Sequence, residues 1–148
     1  MPTPDATRSI DTQELARRIA EASLLRGTFT LRSGRTSSYY LDKYRFSTRP
    51  EVLKPLAAMF AQRIDHVESE LGLKAQRLAG AELGGIPLVT ATAMETGLPC
   101  LFVRNAKKDY GTAKQLEGVI QQGDRVCPFY TSDPADEHNP VLIPSAPL

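Results

Sequence analysis

The sequence predicts an α/β domain built on a parallel sheet with flanking helices, and three stretches carry that reading. Residues 77–81 are a short apolar run, Glu82-Leu83-Gly84-Gly85 is a glycine turn, residues 86–96 have helical character closed by Gly97, and 98–103 are apolar again. Strand, glycine turn, helix and strand make the parallel crossover unit of doubly wound domains. Ahead of it lies a long amphipathic helix, and ahead of that a segment dense in Thr, Tyr and Phe with strand propensity.

In chain order, residues 1–10 carry two prolines and no apolar period, which reads as a loose arm. Asp11 and Glu14 have capping-box spacing; Leu15, Ile19, Ala22 and Leu25 then recur helically, with Gly27 as the stop. Residues 28–46 read as two strands around a Ser33-Gly34 turn, the second running from Tyr39 to Tyr44. Thr48, Pro50 and Glu51 open the clearest helix, striped by Leu53, Leu56, Phe60, Ile64, Val67 and Leu71 and closed by Gly72. After the crossover unit, 105–114 reads as a mobile polar loop and 115–120 as one arm of a hairpin. Gln122-Gly123-Asp124 turns into a last strand from Arg125. Residues 128–148 then hold five prolines and no Gly, Lys or Arg, which reads as an irregular tail, with Pro128 weakening the strand that it interrupts. The expected division is a domain over 1–126 and a proline-rich divergent tail over 127–148.

Bulk properties narrow the function classes. At 148 residues, 41% hydrophobic and 24% charged, the chain has the composition of one ordinary globular domain. Eighteen Lys and Arg against 17 Asp and Glu leave a net charge of +1, which argues against a nucleic-acid partner. No apolar run approaches the roughly 20 residues that span a membrane, and no leader-like start is evident, so no membrane partner and a cytoplasmic location are expected. Cys100 and Cys127 sit in apolar surroundings and read as reduced, buried small hydrophobes.

Few residues are candidates for chemistry. His66 and His138 are isolated in sequence, and no metal-ligand spacing occurs. The turn at Gly84-Gly85 suits two readings: a structural strand-to-helix turn, or a site where backbone N–H groups and a helix dipole face an anion. Arg104 ends the second apolar run, with Lys107 and Lys108 just beyond it. Ligands of α/β sheets bind outside the carboxyl ends of strands. These cations therefore suit a phosphate, or else are an ordinary solvated loop.

Together these blocks resemble the orotate phosphoribosyltransferases, from about residue 15 to 126. The block from Gly27 through Ser33-Gly34-Arg35 to Tyr39-Tyr40-Leu41-Asp42 looks like the family's orotate-side segment. Ala81-Glu82-Leu83-Gly84-Gly85-Ile86-Pro87-Leu88 looks like its pyrophosphate turn. Phe102-Val103-Arg104, Lys108-Asp109-Tyr110-Gly111-Thr112 and Leu116-Glu117-Gly118 look like its catalytic loop and hairpin. The resemblance implies a type I phosphoribosyltransferase-like fold with an N-terminal hood segment. It also implies transfer of a phosphoribosyl group from 5-phosphoribosyl 1-diphosphate to orotate, in UMP biosynthesis, with Mg²⁺ held through the diphosphate. Arg104 and Lys108 would serve as catalytic diphosphate ligands, supported by Lys107 and Tyr110. Gly84 and Gly85 would form the diphosphate turn, Arg32 would lie near diphosphate and orotate, and Tyr40 and Leu41 would pack on the orotate ring; no residue is assigned to a metal. Because the family's loop reaches into a neighbouring subunit, a homodimer is implied.

Two departures stand out. Asn105 stands where the family usually has a lysine. After Val126 the family's acidic pair and glycine-rich phosphate loop have no counterpart, so the C-terminal strands are expected to be missing and turnover impaired. The alternatives are a non-catalytic module that binds orotate or a nucleotide, and a dimer partner of an intact enzyme.

Overall fold

Helix α1 spans Thr12–Ser23 and opens on Asp11, whose carboxylate accepts the N–H groups of Gln13 and Glu14. These are two of the orphan donors of any helix start. The structure, a computed structural model, describes residues 11–31, 33–105 and 115–129. Only half of the expected capping box forms: Glu14 turns away to Arg17 at 2.8 Å and Arg18 at 2.7 Å. The helix also stops before the glycine at 27. Leu24 and Leu25 leave it to pair with Leu41 and Tyr40, so pairing across the strands overrides helical spacing.

Strands β1 (Leu24–Thr30) and β2 (Thr36–Leu41) form an antiparallel pair of their own, turned through Gly34 at φ +81°. That backbone region favours glycine. The second strand does not reach Tyr44. Asp42 accepts the Tyr44 N–H at 3.1 Å and caps a short helix, α2 (Lys43–Ser47). A carboxylate that bonds the local backbone starts a helix despite the β-preference of the aromatic residues.

Helix α3 (Pro50–Leu71) runs between the expected signals: proline in its first turn and Gly72 in the left-handed conformation at its end. Val52, Leu56, Ala57 and Ile64 are its buried face, while Leu71 at its last turn is exposed. His66 lies on its outer side beside Glu70, at 3.3 Å. No helix among the described residues is long and apolar enough to cross a membrane.

The main sheet follows. Strand β3 (Arg77–Ala81), helix α4 (Gly85–Thr96) and strand β4 (Cys100–Val103) make the parallel crossover, β4 starting slightly later than the apolar run suggests. Strand β5 (Leu116–Glu117) runs antiparallel along β4, and β6 (Val126–Phe129) pairs parallel with β3, giving the order β5-β4-β3-β6. Strand β3 is therefore central and reads almost continuously apolar, as a strand covered on both faces should. Leu78 packs with Ile64 and Val89 on one face; Ala79 packs with Leu101 and Val103 on the other. A further cluster of Leu15, Ala22, Phe46, Val52, Leu56 and Leu88 joins the helices.

Residues 127–129 continue β6, so the sheet extends past the boundary expected at 126. Pro128 sits in register with Ala79 on an edge strand, where the lost donor is tolerated, and Phe129 packs edge-on against Phe60 with ring centroids 5.2 Å apart. The arm at 1–10, most of the expected loop at 106–114, and the tail from 130 to 148, His138 included, lie outside the described residues.

Cys100 and Cys127 are half-buried thiols whose pKa burial pushes up. Both lie in register with Leu78, one on each side of β3. Two strand spacings separate them, roughly 10 Å, beyond the reach of a disulfide.

An ion pair closes the sheet's opposite end. Arg77 at the start of β3 bonds the largely covered carboxylate of Asp124, which also accepts the Gln121 N–H at 2.7 Å. The Arg77 bond first, then this N–H, hold the Asp124 carboxyl below its ordinary value. A carboxyl lowered on folding stabilises the fold above its unfolded value, and that contribution is lost as pH falls through the folded value. The melting temperature should therefore drop below about pH 4, and Asp124→Asn should flatten that acid limb. Identical limbs for the two proteins would exclude this role for Asp124.

Candidate active site

The site lies at the carboxyl ends of β3 and β4, where an α/β sheet presents its ligands. Glu82 extends the β3–β4 pairing by donating its N–H to the Val103 carbonyl at 2.8 Å. The chain then bends through a cis Glu82–Leu83 peptide, exposes Leu83, and enters α4 at Gly84 and Gly85. No side chain caps this helix start; the Ile86 N–H donates to the Leu83 carbonyl at 3.2 Å and Pro87 has none, so the Gly84 and Gly85 N–H groups and the positive end of the dipole are what the rim can offer an anion.

The two glycines are buried, and Gly85 has a packing reason. A Cβ there would lie 3.2 Å from the Phe129 carbonyl oxygen and 3.3 Å from the Gly80 backbone. Gly80 is tighter: its Cβ would meet Val89 Cγ1 at 2.5 Å and the Gly85 carbonyl oxygen at 2.6 Å. The structural reading of this turn thus holds at Gly85 and Gly80, whatever the adjoining N–H groups bind.

Arg104 follows β4 and is held from three directions. Its N–H donates to the Gln115 carbonyl at 2.8 Å, its carbonyl accepts from Gln115 Nε2 at 3.1 Å, and its Nε donates to Glu117 at 2.8 Å. Asn105 turns the other way. Its N–H donates to the Glu82 carboxylate at 2.6 Å, and its side-chain amide donates to the Glu82 carbonyl at 3.4 Å. These bonds join the glycine turn to the base of segment 106–114.

Arg104, Gly84 and Gly85 therefore share one rim. Tyr40 and Leu41 sit, partly exposed, on the separate β1–β2 pair, where Tyr40 meets Phe29 with ring centroids 5.7 Å apart. Arg32, Lys107, Lys108 and Tyr110 lie outside the described residues. Sequence reasoning missed Glu82, Gln115 and Glu117 as supports of the rim. Their bonds to residues 104 and 105 span 11 to 23 positions of sequence, so no local pattern marked them.

No family model matches the chain. It is 41% identical over 115 residues to the orotate phosphoribosyltransferase of Pyrococcus furiosus, covering 77% of this chain and 61% of that protein. It is 47% identical over 100 residues to the Halobacterium salinarum enzyme of the same name, covering 68% and 53%. Among solved structures it is similar to Mycobacterium tuberculosis orotate phosphoribosyltransferase in complex with 5-phospho-alpha-D-ribosyl 1-diphosphate. There the TM-score is 0.55 and the identity 26%, over 78% of this chain and 60% of that one. The chain spans between about half and two-thirds of the length of the curated relatives it matches. Over that shared part, the crossover sheet, the identities and the matching backbone make this chain a member of the orotate phosphoribosyltransferase family, with the α/β architecture of the type I phosphoribosyltransferases.

Proposed function

We propose that this chain carries the diphosphate-binding rim of an orotate phosphoribosyltransferase site. In that reaction the bond from the ribose C1′ to the diphosphate oxygen breaks and its electron pair leaves with the diphosphate, while a bond forms from C1′ to a ring nitrogen of orotate, which gives up its N–H proton to the medium. Positive charge gathers on the ribose while negative charge grows on the leaving group. Preorganised cations and N–H dipoles aimed at that leaving group are the electrostatic means of lowering the barrier. The observation that carries this reading is the link through Glu82 and Asn105, which holds the start of α4 and the Arg104 backbone on one rim.

The remaining roles come from the family resemblance. Lys108, Lys107 and Tyr110 would add to the diphosphate contacts, and Arg32 would lie between diphosphate and orotate. Tyr40 and Leu41 would offer an apolar face to the orotate ring. A homodimer would bring one subunit's loop to the other's site. Two carboxylates of the described rim, Glu82 and Glu117, already accept N–H groups from Asn105 and Arg104. The described donor set therefore does not fit a Mg²⁺ ion held by the protein itself, and any divalent cation would be carried on the diphosphate oxygens.

Calorimetry of the purified chain with inorganic pyrophosphate tests the proposal. A hydrogen bond to a charged group contributes about 1.5–3 kcal/mol, so Arg104→Ala should weaken binding by about tenfold or more. Equal affinities for the altered and unaltered chains would sink the proposal. Turnover with orotate and 5-phosphoribosyl 1-diphosphate separates catalysis from binding alone.

A further inference from the structure

We propose that Glu117 is a positioning residue for Arg104, holding its guanidinium on the rim for an incoming diphosphate; the inference rests on the diphosphate reading above. Glu117 lies on β5 opposite Phe102, and its carboxylate accepts the Arg104 Nε–H at 2.8 Å. The pair is partly exposed, at 36% for Arg104 and 31% for Glu117. An ion pair so open to water adds little to the stability of a fold. Its value is orientation, because a guanidinium fixed at Nε can no longer sample the many rotamers of a free arginine.

The surroundings support that role. Strand β5 is only two residues long, yet Gln115 brackets the Arg104 backbone with bonds to both its N–H and its carbonyl. Gln115 immediately precedes β5 and Glu117 lies within it, so one short segment grips backbone and side chain together. Gly118 permits the close approach: it has φ +109°, and a Cβ there would lie 3.0 Å from Leu101 Cδ2 and 3.2 Å from the Cys100 carbonyl oxygen. A two-residue strand laid this tightly against β4 places its carboxylate beside the one cation that follows β4 directly.

Glu117 also carries negative charge close to an anion site, and this gives the test its discrimination. If only its charge matters, Glu117→Gln and Glu117→Ala both relieve repulsion and bind pyrophosphate more tightly. If it positions Arg104, the glutamine keeps an acceptor for Nε–H and the alanine does not. The experiment follows the ¹⁵N-labelled Arg104 Nε–H resonance in the full chain, assigned through Arg104→Lys, and titrates inorganic pyrophosphate by calorimetry.

Glu117→Ala should lose the ordered Nε–H signal and weaken pyrophosphate binding by about fivefold or more. Glu117→Gln should keep the signal and bind within about twofold of the unaltered chain. Glu117→Asp, a methylene too short to reach, replaces the alanine if that variant does not fold. Pyrophosphate binding left intact by Glu117→Ala, or equal effects of the glutamine and the alanine, would overturn the positioning role alone. An unaltered chain that does not bind pyrophosphate at all would overturn the diphosphate reading along with it.

Discussion

Leu78→Ala should lower the stability of the folded chain by about 2–5 kcal/mol. Leu78 has no solvent exposure and is the second residue of the central strand, with Cys100 and Cys127 beside it on the flanking strands. Above it sit Ile64 of α3 and Val89 of α4, both buried. Truncation removes the apolar contact and leaves a cavity between two helices and a sheet, none of which can close independently of the others. Small domains have about 5–15 kcal/mol in total, so the loss is a large share of the whole. A urea titration should show an earlier midpoint at unchanged slope. A destabilisation below about 1 kcal/mol would place it outside the range for a buried leucine and disprove the central packing of β3.

Gly80→Ala should be nearly as damaging although it adds a single methyl group. Of the two residues it would strike, Gly85 presents its backbone carbonyl oxygen, and Val89 is itself fully buried with no room to swing aside. Relief requires α4 to lift from β3, and overpacking of this kind costs about 1–3 kcal/mol; the backbone clash puts this site near the upper figure. The damage should extend to binding, because lifting α4 moves Gly84 and Gly85 away from Arg104. Pyrophosphate affinity should therefore fall with stability. Unchanged affinity in a chain destabilised by the full amount would detach the helix start from the anion site.

What the sequence revealed and what it concealed follow from the range of the interactions. Helix α3 was legible because its signals are local: Pro50 inside the first turn, Gly72 at the end, and an apolar stripe between them. The crossover unit was legible for the same reason. Helix α2 was not, since Tyr44 and Phe46 favour strands and the decision lay in one cap from Asp42. The early end of α1 was hidden because the partners of Leu24 and Leu25 are Leu41 and Tyr40, far along the chain. In the site, the placement of Arg104 at a strand end could be read from the general habit of α/β sheets. Its supports could not: Glu117 is 13 residues away, and Glu82 reaches Asn105 across 23.

The clasp between Glu82 and Asn105 has a thermodynamic corollary. Two loose segments that converge on one guest must each give up freedom when it arrives, and that loss is subtracted from the affinity. Here the freedom of residues 82 and 105 relative to each other is already surrendered during folding. An anion bound as proposed would meet donors with fixed mutual spacing, so even a small guest would gain the chelate advantage of a rigid host.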